Sequence, residues 1–286
     1  MPISFLKRRQ TNDRAEMTFI DHLEELRWHL IRSLVAVAIF AVLIFFNIQW
    51  VFDKIIAGPV MPDFVSYRWL CTISHKLWLG EALCMQPVKV DMINTEFGGQ
   101  FFSSFSIAFV GGIIAAFPYI FWEFWKFIRP ALRPGELRHT QFVIFWVTFF
   151  FFLGASFGYF ILGPFTFNFL AGFQISGVGM VKTLPTIKDY IDNLTNIILG
   201  CGVAFELPVL AWVLTKVGLI TPMFLRASRK YAIVIILIAA AIITPSPDWV
   251  SQAIVFLPLF LLYELGVLIS ARVYKEELEQ ESKEWS

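Results

Sequence analysis

Carboxylates are the residues in this chain whose surroundings ask for a chemical explanation. Glu206 stands in Phe205-Glu206-Leu207-Pro208, inside a long apolar run. A carboxylate in hydrocarbon is costly and usually faces a water-filled or protein-lined site. Two readings follow: a polar pocket that accepts part of a partner or substrate, or a protonated side chain hydrogen-bonded to a neighbouring helix. Pro208 frees a backbone carbonyl one turn earlier and can kink the helix. Glu25 lies in Phe19-Ile20-Asp21-His22-Leu23-Glu24-Glu25-Leu26-Arg27. There Phe19, Leu23, Leu26 and Leu30 recur at helical spacing, which predicts an amphipathic helix with Asp21 able to cap it and Glu25 off the apolar stripe. Glu136 follows the turn Arg133-Pro134-Gly135. By themselves Glu25 and Glu136 read as solvated surface groups. Glu123 has Lys126 at i+3, which predicts a helix-surface ion pair. Glu264 is expected to snorkel or to pair with a basic residue near the membrane face.

No catalytic set accompanies these acids. His22, His29, His75 and His139 show no metal-ligand spacing, and no Gly-x-Ser-x-Gly, His-Glu-x-x-His or phosphate-binding loop is present. The expectation is therefore no enzyme, no cofactor and no metal. Cys71 and Cys84 fall in one loop, where two readings stay open: a disulfide on an oxidising membrane face, or two free thiols. Cys201 reads as a small packing residue.

The elements that must position these groups are set by composition. Of 286 residues, 57% are hydrophobic and only 16% charged, against about a quarter charged in soluble domains. The apolar residues fall in continuous runs, as helices crossing about 30 Å of hydrocarbon require; a membrane barrel would alternate. Six spans are predicted, at about 30–51, 101–124, 142–164, 190–214, 231–243 and 250–270, the fifth short and the last interrupted by Pro258. They make one membrane domain over 1–275, with a long external loop at 52–100. An acidic tail, 276–286, reads as a solvated helix or disorder. Lys and Arg favour the N-terminal segment, the second and fourth loops and the tail, which puts both termini in the cytoplasm. The first 18 residues are polar and show no cleavable signal. A net charge of +1 gives no basic stripe for nucleic acid.

In combination the motifs become specific. The chain carries His22-Leu23-Glu24-Glu25-Leu26-Arg27, Phe117-Pro118-Tyr119 and Trp125-Lys126-Phe127-Ile128-Arg129-Pro130-Ala131-Leu132. It continues with Phe157-Gly158-Tyr159-Phe160, Phe205-Glu206-Leu207-Pro208, Gly218-Leu219-Ile220-Thr221, Arg229-Lys230-Tyr231 and Tyr263-Glu264-Leu265-Gly266-Val267. Over about residues 18–275 it resembles the TatC family, the multi-spanning subunit of the twin-arginine (Tat) protein translocase.

That resemblance implies an all-α, six-helix, glove-like fold in the cytoplasmic (inner) membrane. It implies recognition of twin-arginine signal peptides on folded cargo. The work would be shared with single-span TatA- and TatB-type partners and further copies of the chain, driven by the protonmotive force. Residue by residue, it implies a signal-peptide site of Glu25, Glu136, Phe127 and Arg27, and an intramembrane polar site at Glu206. Thr244 and Gln252 would contact partner helices, and Pro59, Pro118 and Asp248 would be structural. Carboxylates suit this task because they accept a guanidinium in planar, often bidentate geometry that an ammonium cannot match. The chain departs from the family pattern at Trp28 and His29, where further basic residues are usual. It also has Glu123 where a neutral amide is common, and a longer first external loop. The alternative reading is an ion-coupled small-solute transporter with Glu206 as its coupling carboxylate, although no repeated pair of broken helices is evident.

Overall fold

The computed structural model describes residues 19–76, 84, 91–128, 140–173, 184–244 and 249–284. Helix α1 (Phe19–Phe46) runs unbroken from the amphipathic segment into the first apolar run. It leads through α2 (Ile48–Val51), a π turn (Phe52–Ile56) and a 3-10 turn (Gly58–Val60) to α3 (Val65–Lys76). Next come α4 (Gly99–Ile128), α5 (Thr140–Phe157), a π turn (Gly158–Leu162) and α6 (Gly163–Gly172). The chain then forms α7 (Ile187–Ala204), α8 (Leu207–Lys216), α9 (Pro222–Ala227), α10 (Arg229–Ile243) and α11 (Trp249–Glu284).

Among the described residues, five helical runs are long and apolar enough to cross a membrane: Glu24–Phe46, Gly99–Phe127, Val143–Gly172, Ile187–Lys216 and Ser251–Glu276. The fifth expected span, α10, has 15 residues and reaches only about 22 Å, short of the roughly 30 Å hydrocarbon core. One further expectation needs correction: Pro258 does not interrupt the last helix, which continues from Trp249 to Glu284. The fourth span is interrupted where Pro208 was expected to kink it: α7 ends at Ala204 and α8 begins at Leu207. In a membrane bundle neighbouring helices can satisfy the groups a proline frees, so a proline alone does not decide a break. Pro118 likewise sits inside a continuous α4.

Lipid gives apolar side chains no reason to leave it, so helices associate where backbones can approach closely. α1 packs on α4, where a Cβ added at Gly112 would stand 2.9 Å from the Val37 carbonyl. α5 packs on α7, where one added at Gly154 would collide with the Cys201 carbonyl. A buried cluster of Leu162, Ile197, Phe205, Ala240, Val255 and Leu259 joins the π turn, α7, α10 and α11. A second, built on Trp125, Val143, Val147 and Val209, joins α4, α5 and α8. Outward-facing side chains such as Leu34, Val42, Phe46 and Ile242 are exposed, as expected for surfaces solvated by lipid.

Hereafter the proximal end of the bundle is where α1 begins, and the distal end is where it finishes. At the distal end the π and 3-10 turns leave carbonyls without helical donors. Three tyrosine hydroxyls from separate elements fill that gap. Tyr159 donates to the Ile55 carbonyl at 2.6 Å, Tyr190 to that of Ile56, and Tyr67 to that of Pro59 at 2.8 Å. A backbone bridge, Ile93 N–H to the Pro185 carbonyl and Ile187 N–H to the Ile93 carbonyl, ties the approach to α4 to the start of α7. Tyr190 is 2% exposed, so losing its hydroxyl would strand a buried carbonyl. Tyr190→Phe is expected to cost about 1–3 kcal/mol, read as lowered resistance to thermal unfolding in detergent; an unchanged melting curve would contradict this capping role.

Candidate functional site

Among the described residues the densest polar cluster lies at the proximal end, where the last turns of α4 meet the early turns of α1. Glu123 is buried, with 1% of its surface exposed. Its Oε2 accepts from His29 Nδ1 across the helix pair at 2.6 Å, and its Oε1 accepts from Lys126 Nζ at 3.2 Å. An Arg32 guanidinium nitrogen lies 3.7 Å from Oε2, and Lys126 Nζ sits over the Trp122 ring, 3.6 Å from its centroid. The expected i+3 pairing with Lys126 is therefore present, but the surface location is corrected. A carboxylate removed from water this completely needs several donors, and its nearest partner comes from another helix.

Glu25 and Phe127 flank this cluster, each four residues from one of its members. Glu25 precedes His29 on α1, and Phe127 follows Glu123 on α4; residues four apart share a helix face. The His29 and Phe127 rings meet with centroids 6.4 Å apart, so these faces meet each other. Glu25 is half-buried; among the described residues it has neither a hydrogen bond nor an ion pair. Arg27 is exposed. Glu136 lies outside the described residues, as does Asp248. The structure thus draws together Glu25, Phe127, His29, Glu123, Arg32 and Lys126. His29 and Glu123 were missed as a pair because their link spans 94 positions.

Glu206 sits in the break between α7 and α8, about half-buried, with Oε1 buried and unpartnered among the described residues. No described hydrogen bond or ion pair links Glu206 to the Glu123 cluster, so the two are separate polar features. Thr244 is buried at the end of α10, its hydroxyl donating to the Ala240 carbonyl at 2.8 Å. Gln252 on α11 donates to the Leu237 carbonyl of α10 at 3.2 Å. Each therefore has an internal role, and only Gln252 keeps spare amide capacity toward the surface. Pro59 is buried beneath the Tyr67 hydroxyl. Glu264 pairs with Arg229 at 2.7 Å, the ordinary fate expected for it.

Cys71 and Cys84 are joined as a disulfide, and Cys201 is buried and free. His75 amends the sequence reading of the histidines: its Nε2 lies 3.8 Å from Cys84 Sγ, and the three ligand atoms lie within 4.8 Å of one another. Metals bind thiolates, and the disulfide consumes both, so these residues hold no ion in this state.

The fold and its polar ends define a class: a multi-pass helical membrane protein with its polar chemistry concentrated at helix ends and one helix break. Comparison with known proteins narrows this. The sequence model for the Sec-independent protein translocase protein (TatC) matches residues 21–258. The chain is 39% identical over 271 residues to Sec-independent protein translocase protein TatC of Blattabacterium sp. subsp. Periplaneta americana, covering 93% of this chain and 99% of that one. It is 36% identical over 262 residues to the protein of that name from Deinococcus radiodurans, covering 91% and 88%. A crystal structure of a twin arginine translocase receptor, TatC, superposes with a TM-score of 0.67 at 32% identity, covering 87% of this chain and 97% of that one. The same receptor in DDM gives 0.69 at 31% identity. This chain belongs to the TatC family.

The disulfide generates a labelling pattern for the three cysteines. Maleimide should label none of them in native membranes, Cys71 and Cys84 after reduction, and Cys201 only after unfolding. Labelling of Cys71 or Cys84 without reductant would contradict the bridge.

Proposed function

We propose that this chain is the receptor core of a twin-arginine translocase, binding signal peptides of folded cargo at the proximal end and exporting that cargo without enzymatic chemistry of its own. The relatives are translocase proteins, and the similar crystal structures are of a twin arginine translocase receptor. The observation that carries the reading to this chain is the contrast between two neighbouring carboxylates. Glu123 is held by His29, Lys126 and Arg32, whereas Glu25, one turn nearer the mouth, is half-buried and without a partner among the described residues. A poised carboxylate at a partly dehydrated surface suits an incoming guanidinium. Glu136 is the second acceptor in this reading, so that two arginines meet two carboxylates. Phe127 offers an aromatic wall, and Arg27 steers the local charge.

The same proposal orients the chain. The proximal end and both termini face the cytoplasm, and α10 serves as a short sixth span in the inner membrane. TatA- and TatB-type single-span partners, together with further copies of this chain, assemble around it, driven by the protonmotive force. Gln252 is the better placed of the two expected partner contacts, since Thr244 is buried against its own helix. Glu206 offers a polar group to whatever enters the bundle more deeply, and Asp248 belongs to the last external loop. A small-solute transporter using Glu206 is not favoured, because the relatives are protein translocases.

The test is peptide binding to the full-length protein in lipid nanodiscs. An arginine–carboxylate hydrogen bond contributes about 1.5–3 kcal/mol, so Glu25→Ala should weaken twin-arginine peptide binding about 10- to 150-fold. The same change should weaken a twin-lysine control much less. Wild-type protein that binds both peptides equally would overturn the receptor reading.

A further inference from the structure

We propose that the buried His29–Glu123 pair is a positioning device for the signal-peptide site: it locks α1 against α4 in the register that sets Glu25 across from Phe127. This deepens the receptor reading and rests on it. The geometry is a ladder with two rungs. The inner rung is His29 Nδ1 on Glu123 Oε2 at 2.6 Å. The outer rung, one turn of about 5.4 Å toward the mouth on both helices, is Glu25 opposite Phe127. The His29–Phe127 ring contact crosses between the rungs.

Glu123 is suited to holding a register and unsuited to touching a peptide. Its side chain is 2% exposed, and its partners are intramolecular: His29, Lys126 and Arg32, with the Tyr119 hydroxyl beside them. His29 supplies the shorter of the contacts that reach Glu123 from α1, with Arg32 the longer one, so the two helices prefer the paired register. A site that recognises guanidinium by bidentate geometry depends on where its carboxylate stands to within a fraction of an ångström. The other described polar link between α1 and α4 near Glu25 is Arg32, whose guanidinium lies farther off, 3.7 Å from the same Glu123 oxygen. Below the cluster, contact between them rests on apolar and small residues such as Val37, Ala41, Ile44, Gly111 and Gly112. Such contacts set how closely the helices approach more than how Glu25 is aimed.

The experiment uses full-length protein in nanodiscs and four variants: Glu123→Gln, His29→Ala, His29→Gln and the double variant His29→Ala with Glu25→Ala. Binding of twin-arginine and twin-lysine peptides is measured for each, with a melting curve to confirm folding. His29→Ala and Glu123→Gln should weaken twin-arginine binding about tenfold and bring the two peptides toward equal affinity. His29→Gln, whose amide still donates to Glu123, should stay within about threefold of wild type. The double variant should bind no worse than Glu25→Ala alone, because His29 acts through Glu25. Unchanged discrimination in His29→Ala, or losses that add to those of Glu25→Ala and fall equally on both peptides, would overturn the positioning role while leaving the receptor reading standing. Wild-type protein that fails to discriminate the peptides would overturn both.

Discussion

Hydrocarbon offers no partner to a backbone carbonyl, and the irregular parts of this chain are arranged around that constraint. Where α1 gives way to the π and 3-10 turns, the Ile55, Ile56 and Pro59 carbonyls would be stranded. The hydroxyls of Tyr159, Tyr190 and Tyr67 reach them from three other elements. This one solution fixes much else. It draws the π turn after α5 and the start of α7 onto the end of the first span, and it places α3 over them. The disulfide at Cys71 and Cys84 then anchors the far side of α3. The distal end is thereby held by bonds that depend on distant side chains more than on local propensity.

The same rule applied to carboxylates separates structural acids from available ones. Glu264 has Arg229, and Glu123 has His29, Lys126 and Arg32. Glu206 occupies a helix break with one oxygen unpartnered among the described residues. Glu25, beside the most heavily paired acid among the described residues, has no described partner of its own. Pairing at Glu123 stabilises the helix ends, and the vacancy at Glu25 is what a receptor for guanidinium needs. In the proposed receptor these are two halves of one device, a rigid rung beneath a free one.

Much of the architecture was legible because hydropathy reports burial in lipid directly. The long apolar runs became helices near the expected positions. The misreadings have physical causes. Pro258 was read as an interruption from its local penalty, yet packed neighbours let α11 continue. The break falls at Phe205–Glu206, where Pro208, whose kink was legible in the sequence, opens α8. α10 is apolar enough but short for a span on its own. Glu123 was assigned its i+3 neighbour because spacing within a helix is visible in sequence, whereas His29 is 94 residues away and becomes its partner only once α1 and α4 pack. The tyrosine caps were invisible for the same reason, since Tyr159 lies 104 residues from the carbonyl it satisfies. Cys71 and Cys84 could be named from sequence, but only the fold brings them within bonding distance.

The central claim is that peptide recognition happens at the proximal ends of α1 and α4. Site-specific photocrosslinking in native membranes tests it most directly, with the probe placed in turn at positions 24, 128, 49 and 100, which leaves Glu25 and Phe127 in place, and a radiolabelled twin-arginine precursor supplied. The account predicts precursor adducts from 24 and 128 and none from 49 and 100, which lie at the distal end. Adducts from 49 or 100 with silence at 24 and 128 would contradict it.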